Sequence, residues 1–68
     1  MDWRERISLT PLGCHGKAFF KGTTIMVSEV LDNLAEGMTE DDILKRYGPI
    51  TPEDIKAAIS YAAELAKM

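Results

Sequence analysis

The segment Thr51-Pro52-Glu53-Asp54-Ile55 opens an Ala-rich run that continues to the last residue without a glycine. It constrains the fold more than any other feature. Thr51 is a good N-cap, and Pro52 suits the first helical position, where its missing N–H would have had no partner. Glu53 and Asp54 favour the positive end of the helix dipole. The run therefore predicts the longest helix of the molecule. On a helical wheel Ile55, Ala58, Ile59, Ala62, Leu65 and Ala66 share one broad arc flanked by Tyr61 and Ala63, with Lys56, Ser60, Glu64 and Lys67 opposite. That arc is roughly 200° wide, against the ~100° that packing on a single core requires. Its centre, at Ile55, Ile59 and Ala62, is expected to face the domain's own interior. Tyr61 and Leu65, one turn apart toward one edge, are expected to form a docking strip for a partner protein, with Glu64 beside them to meet basic residues.

Two shorter helices are predicted upstream. In "MTEDDILKRYG" Thr39 can cap, the acids that follow suit the positive helix end, and Lys45 and Arg46 suit the negative end before Gly48. From Ser28 onward Val30, Leu31 and Leu34 share a face, with Ser28 as the expected cap and Gly37 as the left-handed residue that ends the helix. Three helices, the last two joined by the tight "YGPIT" turn, are the parts of a helix-turn-helix unit. The start of the final helix, the usual reading position in such units, carries Glu53 and Asp54, which phosphates repel.

Residues 7 to 27 read differently. Ile7 and Leu9 alternate with polar neighbours, and Phe19, Phe20, Thr23, Thr24, Ile25 and Val27 surround Lys21-Gly22, which fits a short hairpin or two-strand ribbon. The expected fold is mainly α: one domain over residues 1 to 68, with an extended segment at 1 to 27 and a three-helix unit at 28 to 68. A chain of 68 residues buries a smaller share of its surface than a larger domain does, about 60%. A homodimer formed by pairing ribbon edges would cover more.

The formal net charge of −3 is uneven along the chain. Residues 1 to 27 carry Arg4, Arg6, Lys17 and Lys21 against Asp2 and Glu5, while residues 28 to 68 hold four basic and nine acidic side chains. A polyanion such as DNA would therefore meet Arg4, Arg6, Lys17 and Lys21. No apolar run approaches the roughly 18 residues that span a membrane, and "MDWRERISL" lacks a signal-peptide core, so a cytoplasmic location is expected. Cys14 and His15 are nucleophile and base by residue type. As neighbours on an extended chain, however, they point to opposite faces. One Cys and one His cannot complete a four-ligand zinc site in one chain. Gly13, Gly16 and Gly22 lack phosphate-loop spacing. No catalytic residue, metal or cofactor is expected.

The stretch "GCHGKAFFKGTTIMVSEVLDNLAEGMTEDDILKRYGPITPEDIKAAISYAAELA" resembles the bacterial and archaeal family known as domain of unknown function 433. The features that carry the likeness are the Gly16-Lys17 turn, Lys21-Gly22-Thr23 before an apolar strand, "LDNLAEGMT" leading into "DDIL", and "ITPEDIKAAISYAAE". The resemblance implies a homeodomain-like helix-turn-helix fold and an antitoxin role beside a PIN-like ribonuclease, with operator DNA as a second partner. The acidic start of the final helix favours the alternative, a non-catalytic homodimeric protein-interaction module without DNA binding. The chain departs from the family pattern at Thr24, where Arg is usual, and at Met26, where Pro is usual. Without an Arg at position 24, one candidate phosphate or carboxylate contact is lost.

Overall fold

The computed structural model describes residues 2–9 and 17–68. Cys14 and His15, with Pro11, Gly13 and Gly16, lie outside the described residues. A 3₁₀ turn (Trp3–Glu5) leads into strand β1 (Ile7–Ser8), followed by strand β2 (Phe19–Phe20) and helices α1 (Val27–Ala35), α2 (Glu40–Arg46) and α3 (Pro52–Ala66). The chain is mainly α with a short ribbon, as the sequence predicts. The two strands pair antiparallel, Ile7 opposite Phe20 and Ser8 opposite Phe19.

The ribbon is shorter than the extended reading of residues 7 to 27 because the chain turns immediately after Phe20. The Thr23 N–H and hydroxyl both donate to the Phe20 carbonyl, at 3.1 and 2.9 Å. Gly22 supplies the positive φ of 80° that this turn needs. The returning segment bridges Met26 to Phe19, and the Val27 N–H donates to the Ala18 carbonyl at 3.0 Å. That bond corrects the expected cap of α1. The helix starts one residue before Ser28, with Met26 at the N-cap and no side-chain bond there. The ribbon satisfies the first helical N–H in place of a serine hydroxyl.

The other helix ends match their local signals. Gly37 adopts φ 101° after α1, its N–H donates to Leu34, and the Met38 N–H reaches back to Asn33, which is a Schellman closure. Thr39 and Asp42 form a reciprocal capping box at α2, and Thr51 and Asp54 form another at α3. The bond from the Thr39 N–H holds the Asp42 carboxyl below the usual carboxylate range.

Phe20, Ile43, Ile55, Val27 and Val30 are the largest fully buried side chains, with Trp3, Ile7, Ile50, Ala57 and Ala58 completing the core. α3 packs against the 3₁₀ turn, α1, α2 and β1. Its buried face differs from the expected one. Ile55 is inside and Ala62 is half-buried, but Ile59 is 53% exposed, while Ala57 and Ala58 are wholly buried. Alanine allows neighbouring backbone to approach closely, so the face that fits the core is set by small side chains as well as large ones.

Candidate functional site

The two ends of the described chain meet at α3. The Trp3 indole N–H donates to the Glu64 carboxylate at 2.7 Å, and the Trp3 ring meets Tyr61 edge-on with centroids 4.8 Å apart. The Arg4 guanidinium lies 4.4 Å from the Trp3 ring centroid and reaches Asp2 at 3.4 Å and Glu64 at 3.7 Å. Asp2 caps the 3₁₀ turn, and the bond from the Arg4 backbone N–H lowers its carboxyl pKa. A buried aromatic ring with a satisfied N–H thus fastens the N-terminal turn to the last turns of α3.

One turn further in, Arg6 donates to the Asp54 carboxylate at 3.2 Å and to the Thr51 hydroxyl at 3.4 Å. Asp54 is 8% exposed. This carboxylate therefore serves as capping-box acceptor and as ion-pair partner together.

Two open grooves, of about 480 and 420 Å³, flank this end of α3. Trp3, Arg4, Glu64, Lys67 and Met68 help line the first, and Lys17, Ala18, Val27, Ser28 and Leu31 help line the second. Leu9, Tyr61 and Leu65 belong to both. Leu9 is 51% and Leu65 50% exposed. Those three side chains join the two grooves into one apolar strip, with Lys17 lining the second groove and Lys67 the first.

The residues expected to contact DNA fall into two pairs. Arg4 and Arg6 are engaged by acids that the sequence places up to 60 positions away, Glu64 and Asp54. Lys17 and Lys21 are exposed and form no ion pair with a described residue. Of the residues expected to bind a partner, Tyr61 and Leu65 do line one surface, whereas the Glu64 carboxylate is already occupied by Trp3 and Arg4. Trp3 and Leu9 were not assigned to this surface on sequence grounds. Leu9 had a signal in its alternation with Ile7, but β1 ends at Ser8, which leaves Leu9 at the rim. Among the described residues no three His, Cys, Asp or Glu side chains gather as a metal site, and no helix is long and apolar enough to cross a membrane.

These features define a small three-helix domain with a two-strand ribbon and an apolar strip where its ends converge. The family model described as "Protein of unknown function (DUF433)" matches residues 7–62, and the chain belongs to that family. It is similar to a DUF433 member protein from Anabaena variabilis ATCC 29413, with a TM-score of 0.83 and 29% identity over 91% of this chain and 61% of that one. The chain thus spans less than two thirds of that protein's length. No curated protein matches it. Trp3 and Glu64 both lie outside the residues that the family model matches.

Proposed function

We propose that the chain is a non-catalytic, antitoxin-like regulator that holds a PIN-like ribonuclease in the cytoplasm against its Leu9–Tyr61–Leu65 strip. The observation that carries this reading is the sharing of those three side chains by two open grooves. Half of the surface of Leu9 and of Leu65 faces solvent, and covering contiguous apolar area with a partner is favourable. The family resemblance supplies the class of partner. In Leu65→Glu, affinity for a PIN-like ribonuclease, sought among the products of the neighbouring genes, is expected to fall by about tenfold or more, since a charge would enter the contact. Helix content and melting temperature should be unchanged, because Leu65 is half exposed. Calorimetric titration and circular dichroism on the same samples check this. Unchanged affinity sinks the reading.

A second reading, operator binding through the ribbon end of the domain, is favoured by the exposure of Lys17 and Lys21 beside β2. Its contact set is then those two lysines, with Arg4 and Arg6 held by α3. Lys17→Ala with Lys21→Ala should lower the slope of log affinity against log salt by about two for DNA containing the protein's own promoter. An unaltered slope places the contacts elsewhere.

Dimerisation through the ribbon has little to build on. Each strand is two residues long, and the Ile7 and Phe20 side chains lie in the chain's own core. Ile59 is exposed about 120° round α3 from Leu65, too far to extend the strip. The regulator therefore depends chiefly on the strip, and light scattering at high micromolar concentration reports whether copies pair.

A further inference from the structure

The strip has a charge pattern that narrows what can occupy it. Among the described residues four ionic side chains line the two grooves: Arg4, Lys17, Glu64 and Lys67. Glu64 accepts from the Trp3 indole at 2.7 Å and faces Arg4, which Asp2 also holds. Those charges compensate one another. Lys17 and Lys67 form no ion pair with a described residue, and they fall on either side of the shared Leu9, Tyr61 and Leu65, Lys17 lining only the second groove and Lys67 only the first.

We infer that the groove accepts an aliphatic-faced segment of another protein with acidic residues at both of its ends. This rests on the strip being a protein-binding surface and adds the chemistry of the occupant. A second copy presenting the same groove is a poor fit. Aligned one way, Lys17 meets Lys17 and Lys67 meets Lys67. Reversed, each Lys17 meets a Lys67. Either arrangement places like charges opposite one another over an apolar contact, and among the described residues no uncompensated acid lines the groove to relieve it. An acidic-ended segment instead gains two ion pairs at the rim while its aliphatic face covers Leu9, Tyr61 and Leu65. An amphipathic helix, with apolar side chains three and four residues apart, is the simplest such segment.

The test uses two synthetic helical peptides with the same leucine face, one with glutamates at both ends and one with lysines. Trp3 is the chain's only tryptophan and lines the groove, so its fluorescence reports docking directly. At low salt the glutamate-ended peptide should bind about tenfold more tightly than the lysine-ended one, as two rim ion pairs replace two repulsions. In Lys17→Glu with Lys67→Glu that order should invert. Both substitutions are at exposed positions, and an unchanged melting temperature checks the fold. Equal binding of the two peptides, an order that survives the charge reversal, or no saturable change in Trp3 emission with either would each overturn the inference. So would mass that rises with protein concentration and returns to monomer in Leu65→Glu, which assigns the strip to self-association. The nuclease reading fails separately: peptide preference intact with no nuclease bound rejects that partner and leaves the occupant chemistry standing.

Discussion

Trp3→Ala is expected to destabilise the domain by about 3 kcal/mol or more, the usual range for deleting a buried indole. Trp3 is 6% exposed. It makes three contacts with different physical origins: the edge-on ring contact with Tyr61, the indole bond to Glu64 and the stacked Arg4 guanidinium. The first two are made with α3, so their loss detaches the N-terminal turn from the longest helix. A domain of this size is stable by only roughly 3–10 kcal/mol in total. The melting temperature should fall by roughly 12 °C or more, on the scale of 4–8 °C per kcal/mol for small domains. Trp3→Phe keeps an aromatic ring against Tyr61 but removes the N–H donor and part of the buried ring. It should cost less than Trp3→Ala, about 2 kcal/mol, of which the hydrogen bond to a half-exposed charged acceptor is about 1 kcal/mol. If Trp3→Ala melts within a few degrees of the parent chain in a thermal scan, the 3₁₀ turn contributes nothing to the core. The clasp would then be an incidental contact.

The same clasp marks a boundary of what could be read from residues alone. Helix ends were legible because their causes are local: Thr39 and Thr51 cap within three residues, and Gly37 closes α1 with bonds to the turn before it. Tyr61 and Leu65 were legible as one strip because a four-residue spacing places side chains on one helix face. Trp3 gave no such signal. Its partners lie 58 and 61 positions along the chain, and nothing in the order of residues near it announces them. Charge behaved in the same way. The N-terminal part reads as a basic surface, yet Arg4 and Arg6 are matched in space by Glu64 and Asp54, acids of the part that reads as acidic. Of the four, only Lys17 and Lys21 form no ion pair with a described residue. The rotation of α3 escaped for a related reason. A helical wheel weights side chains by hydrophobicity and so favours Ile59, while the packed core selects the face on which Ala57 and Ala58 let other elements come close.

Asp54→Ala should cost about 2 kcal/mol, and its neighbour provides the control. Glu53 and Asp54 look alike as first-turn acids of α3, but Glu53 is exposed and Asp54 is buried. The Asp54 carboxylate accepts from the Thr51 N–H at 3.0 Å and from Arg6 at 3.2 Å. Losing the first contact removes half of the capping box, worth about 1 kcal/mol. Losing the second leaves Arg6 without its acid. The Arg6 side chain is 39% exposed and can turn toward water, so this part falls well below the 3–5 kcal/mol that breaking a fully buried pair costs, at about 1 kcal/mol. Glu53→Ala should change stability by less than about 0.5 kcal/mol, as surface substitutions generally do. Chemical denaturation of both variants, with Arg6→Ala and the double change, closes a cycle in which Arg6 and Asp54 should couple by about 1 kcal/mol. The pair also links the fold to the DNA reading. Asp54→Asn can keep the acceptor of the capping box while removing the charge that holds Arg6, and so frees a guanidinium on the basic side of the domain. If operator binding is real, that variant should bind promoter DNA more tightly and with a salt slope steeper by about one. A stability loss in Asp54→Ala no larger than in Glu53→Ala would show that Arg6 and Asp54 contribute nothing as a pair, and would return Arg6 to the set of side chains available to an anion.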